Sequence, residues 1–264
     1  MTIEKTNAVK CRQLSKVFSQ GELAVNALTD IDIDITVGEF VCLSGSSGSG
    51  KTTLLNMIGG LDVATAGEIT VAGKRLDKMP MSELADLRLH HIGFVFQAYN
   101  LIPVLSAREN VEFVMQLQGV EADQRRNKAM EILQQVGLTG MEQRRPAELS
   151  GGQQQRVAVA RAIVSKPELI LADEPTANLD SENSEKLMTL MRDLNSQMGT
   201  TFIISTHDEG VMAFAKRLVR FHDGRIVSDE AQYNRSSQPI ESFLDGHAQQ
   251  KRHWEVQGRI PAYA

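Results

Sequence analysis

Two short stretches hold residues whose types and spacing suit chemistry on a phosphorylated ligand. The first is Gly45-Ser46-Ser47-Gly48-Ser49-Gly50-Lys51-Thr52-Thr53, directly after the apolar run Phe40-Val41-Cys42-Leu43. Its spacing, G-x-x-x-x-G-K-T, is that of a phosphate-binding loop. Gly45, Gly48 and Gly50 let successive N–H groups turn inward around an anion. Lys51 brings a point charge to the β- and γ-phosphates. The Thr52 hydroxyl is an oxygen ligand of the kind Mg²⁺ prefers. The second stretch is Asp173-Glu174, closing the apolar run Leu169-Ile170-Leu171-Ala172. Asp173 would hold the metal, directly or through its water. Glu174 beside it suits a base that orients and polarises an attacking water. The alternative for this pair is an N-cap for the helix that follows Pro175. The loop alone points to a purine nucleoside triphosphate and no further.

Such groups need rigid elements beneath them. Phe40–Leu43 reads as a buried strand, and Lys51 to about Ile58 as a helix aiming the positive end of its dipole at the phosphates. Ala8–Leu14 reads as a first strand. Asp30–Ile35 alternates strictly, isoleucines inward and aspartates outward, the mark of a half-exposed antiparallel strand. That period explains the aspartates better than a metal site does. Gly67–Leu76 reads as a hairpin around Ala72-Gly73, and Pro80 to about His90 as a helix with Ser82 as its cap. Ile92–Phe96 is a second buried strand ending at Gln97.

From Leu101 to Ser165 the pattern turns helical. Ser106-Ala-Arg-Glu109 is a capping box opening a helix to about Gln118. A helix from about Ala122 carries Ala129, Ile132, Leu133 and Val136 on one face and stops at Gly137. Another opens at Ser150 and ends before Pro167. A helix over Ser181–Met198, a strand over Thr201–Ile204, and strands Leu218–Phe221 and Arg225–Val227 flanking Asp223-Gly224 complete the series. Alternating strands and helices imply a mainly parallel, helix-covered sheet. The expected organisation is one domain over residues 1–228, with a helical insertion at about 101–165. Residues 229–264, which include Phe243, Trp254 and Tyr263, form an extension with no assigned role.

The bulk numbers fit. The 264 residues carry a net charge of −5, which argues against a surface that coats nucleic acid. Two cysteines, Cys11 and Cys42, read as small buried hydrophobes in a reducing compartment. The first ten residues lack the apolar core of a signal peptide, and no run approaches the roughly 18 apolar residues of a membrane span. A membrane role would need another chain to supply the span.

Between the two chemical stretches lies Leu149-Ser150-Gly151-Gly152-Gln153. With this segment the chain resembles the ATP-binding subunits of ATP-binding-cassette (ABC) transporters, whose signature is L-S-G-G-Q. The residues agree with that role: Ser150, Gly151 and Gly152 at a helix start offer a hydroxyl and N–H groups to a second anion. The resemblance implies that the signature, with Gln153, meets the γ-phosphate held by another subunit, so two head-to-tail copies enclose two ATP. It implies that Phe18 stacks on adenine, where tyrosine is commoner. It implies that Gln97 reaches Mg²⁺ and the water, that Ala177–Asp180 communicates between subunits, and that His207 contacts the γ-phosphate.

The implied fold is α/β: a RecA-like P-loop NTPase core with an antiparallel β subdomain and an inserted α-helical subdomain. Within the family, Leu54–Asp62, Ile92–Gln97, Asn100–Pro103, Leu149–Arg156 and Leu171–Asp180 resemble the lipoprotein-release, macrolide-export and cell-division branch. That implies an ATPase that forms a homodimer, sits peripherally on the cytoplasmic face of the inner membrane, and drives an integral-membrane permease on a separate chain. No nucleic-acid partner is expected. The rival reading, a non-transport ABC ATPase acting on nucleic acid or ribosomes, normally comes with two cassettes or a long coiled-coil insertion. One phosphate loop, one signature and no long heptad run weigh against it.

Overall fold

A computed structural model describes residues 6–20 and 23–232. Residues 233–264, with Phe243, Trp254 and Tyr263, lie outside the described residues.

The chain opens with two long strands, β1 (Asn7–Gln20) and β2 (Leu23–Thr36), which pair antiparallel. Ile31, Ile33 and Ile35 of β2 are buried while Asp30 and Asp32 face solvent, as the alternation requires. β1 runs further than the expected Ala8–Leu14 and carries Phe18 within it. The reason is tertiary: its second half is polar, but β2 pairs with it to the end, Phe18 opposite Val25. β4 (Ala66–Val71) adds to the other edge of β1 and β5 (Lys74–Arg75) to β4, giving a four-stranded sheet in the order β2-β1-β4-β5.

The second sheet holds six strands. These are β3 (Phe40–Ser44), β6 (Ile92–Val95), β7 (Leu169–Asp173), β8 (Thr201–Thr206), β9 (Arg217–His222) and β10 (Arg225–Ala231). Their order is β10-β9-β3-β8-β7-β6, parallel throughout except that β10 turns back on β9 through Asp223-Gly224. β3 and β7, the strands leading into the two chemical stretches, are therefore held one strand apart by β8. Period two splits their side chains. Phe40, Cys42, Ile170, Ala172, Phe202 and Ile204 enter one core; Val41, Leu43, Leu169, Leu171 and Ile203 enter the other.

The second of these cores lies under the four-stranded sheet and contains α1 (Lys51–Ile58) and α2 (Met81–His91). The first is covered by helices. α3 (Ala107–Leu117), α4 (Ala122–Gln135), α5 (Gly151–Ile163) and α6 (Ser181–Met198) all place apolar residues in it. The helical insertion and the sheet thus share one continuous apolar core, with α5 contributing Val157, Val159 and Ile163. A short α7 (Glu209–Met212), which no sequence period announced, follows β8.

Ser106 caps α3 with the expected reciprocal box, accepting from the Glu109 N–H at 3.2 Å while its own N–H donates to Glu109 Oε2 at 2.8 Å. The expectation for α2 is corrected. Its N-cap is Pro80, with no side-chain cap bond, and Ser82 sits inside the first turn. The fixed φ of proline and its extended ψ of 157° start the helix one residue ahead of the serine. Cys11 and Cys42 are buried in β1 and β3, and burial pushes each thiol up to about 12. Among the described residues no helix is long and apolar enough to cross a membrane.

Candidate functional site

The phosphate loop connects β3 to α1, at the ends where the parallel strands finish and where open α/β sheets bind ligands. Gly50 is the N-cap of α1 at φ 105°, and a Cβ there would stand 2.7 Å from the Ala27 carbonyl oxygen, so both conformation and space demand glycine. No side chain caps α1, and its first turn holds no acidic residue. Its leading N–H groups are therefore free for an anion. Ser46, Ser47 and Gly48 are exposed, and Ser49 is buried. The Lys51 side chain turns back into the loop, where its Nζ donates to the carbonyls of Gly45 at 2.8 Å and Ser46 at 2.9 Å. Thr52, the next residue, is exposed and Thr53 half-buried.

Thr52 and Asp173 meet. The threonine Oγ1 donates to Asp173 Oδ1 at 3.0 Å, across 121 residues of sequence. The pairing is fixed by the strand ends: β3 and β7 each run alongside β8, β3 finishing level with it and β7 one residue short. Among the described residues there is no cluster of three or more His, Cys, Asp or Glu able to hold a metal. One hydroxyl and one carboxylate form an oxygen-only set that fits a hard cation whose remaining ligands are water and phosphate oxygens, the usual habit of Mg²⁺.

Glu174 follows in the left-handed region at φ 45°, a conformation unfavourable for a residue with a Cβ. Its N–H donates to the Ser205 carbonyl at 3.1 Å and to Ser205 Oγ at 3.3 Å. Its Oε1 lies 2.9 Å from His207 Nδ1. A carboxylate only accepts, so Nδ1 carries the proton and the Nε2 edge faces away from the pair. The ring is largely exposed, whereas the Glu174 side chain is mostly buried. The geometry thus brings together Lys51, Thr52, Asp173, Glu174 and His207, from three strand ends.

Three expected participants stand apart from that group. Gln97 is exposed just beyond β6, and its backbone carbonyl accepts from Asn178 Nδ2 at 2.9 Å. Phe18 on β1 is 42% exposed, with Lys16 Nζ 4.8 Å from its ring centroid, so the ring already attracts a cation to one face. The signature opens α5. Ser150 is its exposed N-cap, accepting from the Gln153 N–H at 3.3 Å while its own N–H donates to Gln153 Oε1 at 2.9 Å. Gln153 is therefore a capping partner. The N–H groups of Gly151 and Gly152 and the Ser150 hydroxyl hydrogen remain to meet an anion. A Cβ on Gly151 would stand 2.8 Å from the Tyr99 hydroxyl, which keeps that position small.

Sequence reasoning missed the residues that tie these parts together. Gln155, wholly buried on α5, donates to the Pro175 carbonyl at 2.7 Å, and Arg161 donates to the carbonyls of Tyr99 at 2.9 Å and Asn100 at 2.5 Å. Burial lowers the affinity of Arg161 for its proton. Ser205 also donates through Oγ to Asp173 Oδ1. Glutamine and arginine on a helix, and serine in a strand, carry no local sign of such partners.

A glycine-rich loop at a strand end, with a hydroxyl–carboxylate pair beside it, defines a phosphate-loop nucleotide-binding protein. The ABC transporter family model matches residues 28–177. The chain is 43% identical over 221 residues to the lipoprotein-releasing system ATP-binding protein LolD of Chromohalobacter salexigens, covering 84% of this chain and 93% of that one. It is 40% identical over 245 residues to the macrolide export ATP-binding/permease protein MacB of Mannheimia succiniciproducens, covering 93% of this chain. It spans only 37% of that relative's length. Among solved structures, a dimeric post-hydrolysis state of the ATP-binding cassette MJ0796 bound to ADP and Pi superimposes with a TM-score of 0.80. That chain is 41% identical, over 86% of this chain and 99% of the other. The chain belongs to the ABC transporter family, and its fold is that of the family's ATP-binding cassettes.

Proposed function

We propose that this chain hydrolyses ATP, and that it does so as a homodimer enclosing two nucleotides. The observation that carries the reading is the Glu174–His207 pair standing beside the Thr52–Asp173 pair, both at the mouth of the phosphate loop. The loop amides and Lys51 hold the phosphates. Mg²⁺ bound at Thr52 and Asp173, with Gln97 as a further oxygen, would neutralise charge on the β- and γ-phosphates. Glu174, held by His207 through Oε1, keeps Oε2 for a water aligned with the γ-phosphate. His207 would offer its Nε2 edge to that phosphate. Phe18 supplies a π face for adenine. The N–H groups of Gly151 and Gly152 and the Ser150 hydroxyl close the site of the partner copy.

The branch reading is supported by the relatives. One similar protein is an ATP-binding protein of a lipoprotein-releasing system, and another carries its permease in the same chain. By extension, this chain drives an integral-membrane permease from the cytoplasmic face of the membrane, to move or extract a lipoprotein-, macrolide- or peptide-like substrate. ATP bridges the two half-sites, and loss of the γ-phosphate loosens them, so nucleotide state selects between closed and open dimers.

The experiment is to purify Glu174→Gln and measure its mass in solution with ATP and with ADP, both with Mg²⁺. A stable dimer with ATP and a monomer with ADP is the expected result. A monomer under both conditions, with ATP bound, removes the shared-site reading.

A further inference from the structure

We propose that Ser205, in β8, is a positioning residue for ATP hydrolysis, its single hydroxyl setting the orientation of both Asp173 and Glu174. The inference rests on the roles given above to those two residues. β7 and β8 are parallel with Asp173 opposite Ser205, so the carboxylate and the hydroxyl are lateral neighbours on one face. Ser205 is fully buried, between Ile204 and Thr206. A hydroxyl has one hydrogen to give and two lone pairs to accept with. Here the hydrogen goes to Asp173 Oδ1, and a lone pair receives the Glu174 N–H at 3.3 Å.

Each bond does something the backbone leaves undone. The carboxylate torsion of an aspartate is soft and two-fold, so hydrogen bonds decide which oxygen points where. Oδ1 of Asp173 receives both Ser205 and Thr52, and Oδ2 has no hydrogen-bond donor among the described residues. The two hydroxyls thereby present one defined oxygen to a cation. On the other side, Glu174 stands at φ 45°. Its N–H is shared between the Ser205 carbonyl and the Ser205 hydroxyl, which pins a backbone that would otherwise relax. Ser205 is fully buried, so its hydroxyl has no open face toward the site. It acts through the two carboxylates, like the outer partners that orient metal ligands elsewhere.

The test uses the full chain in four versions: wild type, Ser205→Ala, Ser205→Thr and Ser205→Cys. Three quantities are read: ATP affinity in EDTA, the Mg²⁺ concentration that half-restores tight ATP binding without turnover, and kcat. Ser205→Ala is expected to leave the EDTA affinity unchanged. It should raise the Mg²⁺ requirement about 10-fold and lower kcat about 10- to 100-fold. Threonine restores the hydroxyl and most of both values; cysteine, of similar size and a weak donor, does not. A wild-type Mg²⁺ response in Ser205→Ala overturns the proposal. So does a parallel loss in all three variants of EDTA affinity, Mg²⁺ response and thermal stability, which marks a packing residue. Asp173→Asn separates the two levels. If it raises the Mg²⁺ requirement and Ser205→Ala does not, only the serine's role falls. If it leaves the requirement unchanged, the metal-side reading falls and takes the serine with it.

Discussion

At the scale of single residues, the site divides by how far its partners lie apart in sequence. Lys51 is legible because loop and lysine are contiguous, and its ammonium is indeed folded against the carbonyls of Gly45 and Ser46. Lys51→Ala removes the only side-chain cation of the loop, so ATP affinity is expected to fall about 10-fold or more. Equilibrium binding checks this, and unchanged affinity counts against the cradle. Glu174→Gln keeps size and removes the carboxylate proposed as the base. Binding should persist while turnover drops about 10²- to 10⁴-fold, and near-wild-type phosphate release would remove Glu174 from that role. Ser205 was not legible at all. Its importance comes from strand register, and nothing between residues 173 and 205 says that these two strands lie side by side.

At the scale of elements, periodicity and caps placed most pieces. α1, α6 and the capping box of α3 stand where apolar spacing and Ser106/Glu109 put them. The Ser82 cap failed because a proline two residues earlier took the boundary. The order of the six-stranded sheet was beyond local reading, since β8, the last of the three in sequence, lies between β3 and β7. Ser106→Ala should cost about 1 kcal/mol in a chemical denaturation measurement. Nucleotide affinity should be unaffected, because α3 supplies no residue to the loop. The same cap has a pH signature. The Ser106 N–H, then its hydroxyl, hold Glu109 below the usual carboxylate range. A depressed native value means the contribution is present above the unfolded glutamate pKa of about 4.3 and is lost as pH falls through the native value. The stability gap between wild type and Glu109→Gln should therefore close below about pH 4; a constant gap down to pH 2 refutes the cap's charge dependence.

At the scale of the whole molecule, the five grouped residues and the signature belong to opposite ends of one argument. α5 is the physical link between them. Its N-terminus carries Ser150, its buried Gln155 grips the turn after Glu174, and its Arg161 grips the turn after Gln97. A copy that supplies a loop to one site and a signature to another can be tested by mixing. Lys51→Ala and Ser150→Arg should each be inactive alone. Randomly paired, half of the dimers are mixed and each keeps one intact site of two, so about a quarter of wild-type turnover should return. No recovery on mixing means that the sites are not shared. The two buried thiols make a direct view of that pairing accessible. With their protonation points lifted to about 12, on the order of one in 10⁵ is ionised near neutral pH. An alkylating dye or a bifunctional maleimide should therefore pass over the native chain, which serves as its own labelling blank. A single reporter cysteine can be engineered beside the signature, and every signal then belongs to the inserted probe.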